Sequence, residues 1–195
     1  MEERVPDSEL HKHIDYYVMH IKGFLPAEHR KIILDELTNT EWKIHQFHDP
    51  ITGQLSSYDD DLSVTHETLE SDQLIMPRLH GVLSRYMRVY NFPWFNSWNG
   101  YSKVKYHRYN EGEKMHLHCD HIHTIFDGER KGIPTLTMLG LLNDDFEGGD
   151  LLMYGYKKVD FKAGDLLIFP SNFMYPHEVT TITKGNRYSY VSWMW

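Results

Sequence analysis

The sequence predicts an α+β protein, mainly β, in which N-terminal helices support an antiparallel β-sandwich or jelly roll. Three observations lead there. Two helical patterns fall before Tyr90. About seven short strand patterns follow from Tyr101 onward, separated by glycine turns. Helices and strands do not alternate, which argues against a parallel α/β sheet.

The elements follow in order. Leu10 to Lys22 suits a strand or a short helix. Leu25-Pro26 followed by Ala27-Glu28 reads as a helix start, with proline near the first turn and an acid behind it. Ile32, Ile33, Leu34 and Leu37 carry that helix to about Thr38. Glu41 to His48 alternates through Trp42, Ile44 and Gln46 and reads as a strand. Asp49 to Asp61 is a polar loop. Ser71 to Tyr90 is a second helix, broken or begun at Pro77, with Leu79, Leu83, Tyr86, Met87 and Tyr90 at helical spacing. Tyr101 to Tyr109 alternates and puts Lys103, Lys105, His107 and Tyr109 on one face. Further strands are expected over Thr135–Leu142, Asp150–Tyr154, Lys157–Phe161, Leu166–Phe169, His177–Thr181 and Arg187–Trp195.

The chain of 195 residues suits one domain. Residues 1–100 would give helical support and substrate-side loops, and residues 101–195 the β core. A net charge of -8 offers no broad basic surface for nucleic acid. Cys119 stands alone, so no intrachain disulfide forms. No stretch is apolar enough to span a membrane. The charged Met1–Leu10 segment lacks a signal-peptide core, which predicts a cytoplasmic location. The oligomeric state is not legible.

The chemistry concentrates in Tyr109 to His123, where four histidines and Asp120 fall between His116 and His123. On a strand, residues two apart share a face, so His118 and Asp120 converge on one ion. His177 is the only histidine after His123 and supplies the distant third ligand. Two histidines and a carboxylate leave open positions, the set suited to non-haem Fe(II) with a bidentate cosubstrate and dioxygen. Arg187, Ser189, Val191 and Trp193 share one face of the last strand. A guanidinium there, with the hydroxyl of Ser189, suits a carboxylate. His116, His121 and His123 are read as neighbours rather than ligands.

Two other readings stay open. His116 to His121 spells H-x-H-x-D-H, as in zinc hydrolases of the metallo-β-lactamase fold, but two zinc sites would need more downstream histidines. A non-catalytic cupin-like binding module would hold a structural zinc in a closed four-ligand site or no metal.

Arg108-Tyr109, Gly112, His118 and Asp120 resemble the R-Y-x-x-G-x(5)-H-x-D block of prolyl 4-hydroxylase-like Fe(II)/2-oxoglutarate dioxygenases. Leu142-Asn143 with Glu147-Gly148-Gly149-Asp150 resembles that family's hairpin, with aspartate for glutamate. Gly164 to Phe169, His177-Glu178-Val179, and Gly185-Asn186-Arg187-Tyr188 with Trp193 resemble its closing strands. The similarity is strong over residues 101–195, weak over 20–48, and absent over 49–100.

The resemblance implies a double-stranded β-helix with iron held by His118, Asp120 and His177. It implies 2-oxoglutarate, O2 and ascorbate as cosubstrates and cofactors. The far carboxylate of 2-oxoglutarate would meet Arg187, with Tyr109, Thr137 and Ser189 lining the same pocket. It further implies hydroxylation of a prolyl residue in a protein or peptide, with succinate and CO2 released. Another amino-acid residue or a small molecule is the alternative substrate. Trp193 matches a tryptophan on the substrate side. Tyr58, in the aspartate-rich loop, and Trp98 are expected to belong to a lid and groove.

Overall fold

A computed structural model describes residues 14–48, 54–91, 100–120 and 134–195 of the chain. Its elements run β1 (Met19–Ile21), α1 (Ala27–Leu37), β2 (Lys43–Ile44), β3 (Phe47–His48), β4 (Leu55–Ser56), β5 (Ser63–Thr65) and α2 (Asp72–Tyr90). Next come β6 (Lys105–Tyr109), β7 (Met115–His118), β8 (Leu136–Leu141), β9 (Glu147–Gly148) and β10 (Leu151–Met153). Then follow β11 (Lys157–Lys158), β12 (Leu166–Pro170), β13 (His177–Val179), β14 (Ile182–Lys184) and β15 (Arg187–Met194).

Helix α1 starts after Pro26, with Glu28 in its first turn, where the backbone dipole favours an acid. It buries Ile33 and Leu37, while Ile32 faces solvent. Helix α2 runs unbroken through Pro77 and stops at Asn91, which adopts the left-handed conformation at φ 44°. Ser71 joins the helices: its hydroxyl donates to Glu36 Oε2 at 2.8 Å.

All named strand pairs are antiparallel. A seven-stranded sheet runs β1-β12-β8-β15-β6-β5-β2, and a four-stranded sheet runs β11-β10-β13-β7. Alternation along the central strands divides the core in two. Leu166, Ile168, Met138 and Tyr190 face the helices and pack with Ile33, Leu79, Leu83 and Tyr86. Leu167, Phe169, Leu139 and Val191 point the other way, toward Met153, Tyr175 and Val179. This second, inter-sheet core surrounds the site.

The strand expected over Glu41–His48 is two short pieces. β2 joins the large sheet through β5, and β3 pairs with β4 in a separate hairpin. Ile44 is 63% exposed, so alternation there did not mark a buried face. Strand β5 and the β9–β14 pair were not anticipated, because segments this short carry no periodicity. Among the described residues no helix is long and apolar enough to cross a membrane.

Candidate metal and cosubstrate site

Pairing of β13 with β7 sets His177 directly opposite His118. Their ring centroids lie 4.4 Å apart. Strand β7 ends at His118, and Asp120 reaches the pair from just beyond that end. The converging atoms of His118, Asp120 and His177 lie within 4.8 Å of one another. His118 Nε2 is 3.4 Å from Asp120 Oδ1, and His177 Nε2 is 3.8 Å from Oδ2.

The hydrogen bonds behind the imidazoles fix which nitrogen faces inward. His118 Nδ1 lies 2.7 Å from the His116 carbonyl, and His177 Nδ1 lies 3.2 Å from the Tyr175 carbonyl. A carbonyl only accepts, so each Nδ1 carries the hydrogen in these bonds. Each Nε2 then faces Asp120 and is the nitrogen that can ligate a metal once the metal displaces any proton held against the carboxylate. Thr137 Oγ1 donates to Asp120 Oδ2 at 2.7 Å and lies 2.6 Å from Ser171 Oγ.

The titration shifts agree with a site built for a cation. Burial raises the Asp120 carboxyl, but His177, His118 and the Thr137 hydroxyl outweigh it and hold it below the ordinary range. Burial and the neighbouring His118 lower His177 to about 4. Burial lowers His118 too, but its bond with Asp120 reverses the sign and leaves it raised. With a metal in place of the proton that Asp120 favours on His118, the set offers two imidazole nitrogens and one ionised oxygen, donors that fit Fe(II).

Arg187 and Tyr109 are opposite partners of β15 and β6. Arg187 is 1% exposed, and its guanidinium lies 5.0 Å over the Tyr109 ring. Its Nη1 donates to Ser189 Oγ at 2.9 Å, while Nε has no partner. Among the described residues no carboxylate pairs with it. A buried cation without a counter-charge is costly, so this one fits the distal carboxylate of a diacid.

A cavity of about 90 Å³ is lined by the three cluster residues His118, Asp120 and His177 and by Tyr109, Thr137 and Trp193, among others. Arg187 does not line it. The guanidinium lies beyond Tyr109 and borders a second cavity of about 190 Å³ with Phe146, Gly149 and Leu151. Thr137, expected beside the cosubstrate, holds Asp120 as well as lining the first cavity.

Tyr58 stacks on Phe47 with ring centroids 4.7 Å apart and meets the His116 ring in a tilted contact at 4.1 Å. Asp60 binds Lys114 at 2.8 Å and His116 at 2.9 Å, so the Tyr58–Asp61 segment is fastened to β7. His116 is thereby turned to Asp60, and the described part of the H-x-H-x-D-H stretch gives only His118 and Asp120 to the cluster, which His177 completes. Trp98, His121 and His123 lie outside the described residues. Sequence reasoning missed Lys105, His107, His45 and Ser171 as site residues. The period-two face of β6 had already aligned Lys105 and His107 with Tyr109.

Residues 104–195 match the family described as the 2OG-Fe(II) oxygenase superfamily. That segment, with its His-Asp-His cluster, is a 2OG-Fe(II) oxygenase domain with prolyl-hydroxylase-like relatives. A PKHD-type hydroxylase from Acinetobacter baumannii is 35% identical over 95 residues, covering 46% of this chain and 41% of the relative. The matched stretch thus spans less than half the length of that curated relative. A prolyl hydroxylase from Trichoplax adhaerens, solved with a hypoxia inducible factor oxygen degradation domain peptide fragment, is 20% identical with a TM-score of 0.66. That comparison covers 100% of this chain and 96% of the other. A Pseudomonas putida prolyl-4-hydroxylase is 16% identical with a TM-score of 0.64, covering 91% of each chain. At these identities the two structures establish the likeness of fold.

Proposed function

We propose that this chain is an Fe(II)- and 2-oxoglutarate-dependent dioxygenase that hydroxylates a prolyl residue in a protein or peptide. The observation that carries the reading is the pairing of a His-Asp-His cluster with a buried guanidinium that lacks an acidic partner among the described residues. The two sheets are read as the halves of a double-stranded β-helix. Residues 1–100 supply helical support and substrate-side loops to one domain, placed in the cytoplasm. The prolyl and peptide elements rest on the likeness to the Pseudomonas putida and Trichoplax adhaerens prolyl hydroxylases, the latter solved with a peptide fragment.

His118 and His177 would bind the metal through Nε2, and Asp120 through its carboxylate. Bound there, iron with 2-oxoglutarate and O2 supplies the oxidising chemistry, with succinate and CO2 as co-products and ascorbate keeping the metal reduced. Arg187 and Ser189 hold the distal carboxylate as a charge-assisted pair. The Tyr109 ring packs against the guanidinium and keeps it in place. Thr137, backed by Ser171, fixes the orientation of Asp120. Leu139, Val191 and Trp193 give the cavity an apolar wall that excludes water.

The test is succinate formation by purified protein with Fe(II), ascorbate and 2-oxoglutarate. The expected result is iron-dependent succinate, raised by a prolyl substrate. An iron-loaded protein that makes no succinate, even uncoupled, contradicts the reading. Two zinc ions per chain would support a hydrolase, and one non-exchangeable four-ligand zinc a binding module.

A further inference from the structure

Strand β6 turns Lys105, His107 and Tyr109 into the same cavity. Tyr109 accounts for the Arg187 end. Lys105 lies four residues away, about 13 Å along the strand at ~3.3 Å per residue. Its cross-strand partner is Val191, whereas that of Tyr109 is Arg187. The two cations therefore mark opposite ends of the site, with His107 between them and close enough to feel both.

Lys105 Nζ stands 5.8 Å from the centre of the Trp193 ring and is half-buried. Among the described residues it has neither an ion-pair partner nor a hydrogen-bond acceptor. The nitrogens around it are unpartnered as well. Both ring nitrogens of the buried His107 and Nδ1 of His45 have no partner, and both side chains line this cavity. Burial and the neighbouring Lys105 keep both imidazoles uncharged at neutral pH. They add polar contacts but no positive charge.

Charge then decides what this end receives. The nearby negative group is Asp120, which the metal and Thr137 already claim. A divalent metal brings two positive charges, and Lys105 and Arg187 one each. Asp120 supplies one negative charge and 2-oxoglutarate two. One positive charge is left over, and it resides at Lys105, whose backbone lies four strand positions from Tyr109 and the Arg187 opposite it.

We propose that Lys105 is a specificity residue that binds an acidic side chain next to the target residue of a peptide substrate, with Trp193, His45 and His107 forming the rest of that subsite. The proposal rests on the oxygenase reading above. A carboxylate would displace water from an ammonium that is already partly desolvated, and the charge-assisted bond discriminates against the matching amide.

The experiment uses immobilised protein loaded with Mn(II) and 2-oxoglutarate, which binds without turnover. It is exposed to a proline-centred peptide library with both flanking positions randomised, and retained peptides are sequenced by mass spectrometry. The wild type should enrich Asp or Glu over Asn or Gln at one flanking position by roughly tenfold or more. Lys105→Gln should abolish the preference, and Lys105→Glu should invert it toward Lys or Arg. In both variants the 2-oxoglutarate dissociation constant, read by calorimetry with Mn(II), should move by less than about threefold, because the cosubstrate is held at Arg187. If the wild type retains no acidic peptide above its amide counterpart, the proposal is overturned. It is equally overturned if Lys105→Gln weakens 2-oxoglutarate as strongly as loss of Arg187 does. Failure of the wild type to bind 2-oxoglutarate at all overturns the oxygenase reading itself.

Discussion

Thr137 Oγ1 donates a 2.7 Å hydrogen bond to Asp120 Oδ2. A hydroxyl has one proton, so Ser171 must be the donor in its 2.6 Å contact with Thr137. The chain Ser171–Thr137–Asp120 ties the carboxylate to β8, an interior strand of the large sheet, although Asp120 itself lies beyond the end of β7. Thr137→Val keeps the shape and removes the donor. It should weaken divalent metal binding by roughly 10–100-fold, whereas Thr137→Ser should retain most of the affinity. Anaerobic Fe(II) or Mn(II) titration reads the difference. An unchanged affinity in the valine variant would show that Asp120 needs no orienting partner.

Arg187 is expected to control the cosubstrate and leave the metal alone. Arg187→Met should lower 2-oxoglutarate affinity by roughly tenfold or more, from the loss of a charge-assisted bond. Gly149→Ala should act on the same group indirectly. Gly149 has φ 61°, and a Cβ there would collide with Ile182 Cδ1 and sit 3.1 Å from Arg187 Cδ. Calorimetry with Mn(II) should show metal binding intact and 2-oxoglutarate binding weakened in both.

The metal-free protein should lose stability toward acid, in part through His45. Burial and the nearby Lys105 and His118 lower its pKa from 6.5 to about 3. The unfolded chain therefore takes up a proton near pH 6.5, while the folded chain does not until about pH 3. Unfolding binds that proton, so stability is fully present above pH 6.5 and is lost as pH falls toward 3. Urea melts at pH 7.5 and 5 should show this slope, and His45→Gln should flatten it. An unaltered slope would place the proton uptake elsewhere.

Gly140 sits opposite Tyr190 on β8 and β15, and the Tyr190 ring occupies the space where a Cβ would project. Gly140→Ala must push that fully buried ring aside. The expected cost is about 1–3 kcal/mol, measured by urea denaturation. Because Tyr190 faces the helices and not the site, metal affinity should stay unchanged.

Much of the site was legible in the sequence because its parts lie at strand positions with recognisable neighbours. His177, Arg187 and Tyr109 occur where period-two patterns and flanking turns identify them, and pairing of β13 with β7 and of β15 with β6 brings their partners into place. The helices were legible through their apolar spacing. What escaped depends on pairing between distant short segments. His45 enters the cavity through β2, only two residues long. Thr137 could be placed near the site, but its bond to Asp120 follows from the path of the chain after β7. Ser171 follows the end of β12 and carries no signature of its own.

The most direct test of the account is metal-dependent binding of 2-oxoglutarate, measured by calorimetry on wild-type protein and Asp120→Ala with and without Mn(II). The account predicts one metal per chain, 2-oxoglutarate binding only to the metal-loaded wild type, and loss of both in Asp120→Ala. Binding of 2-oxoglutarate that is equally tight without metal, or unaffected by Asp120→Ala, would contradict it.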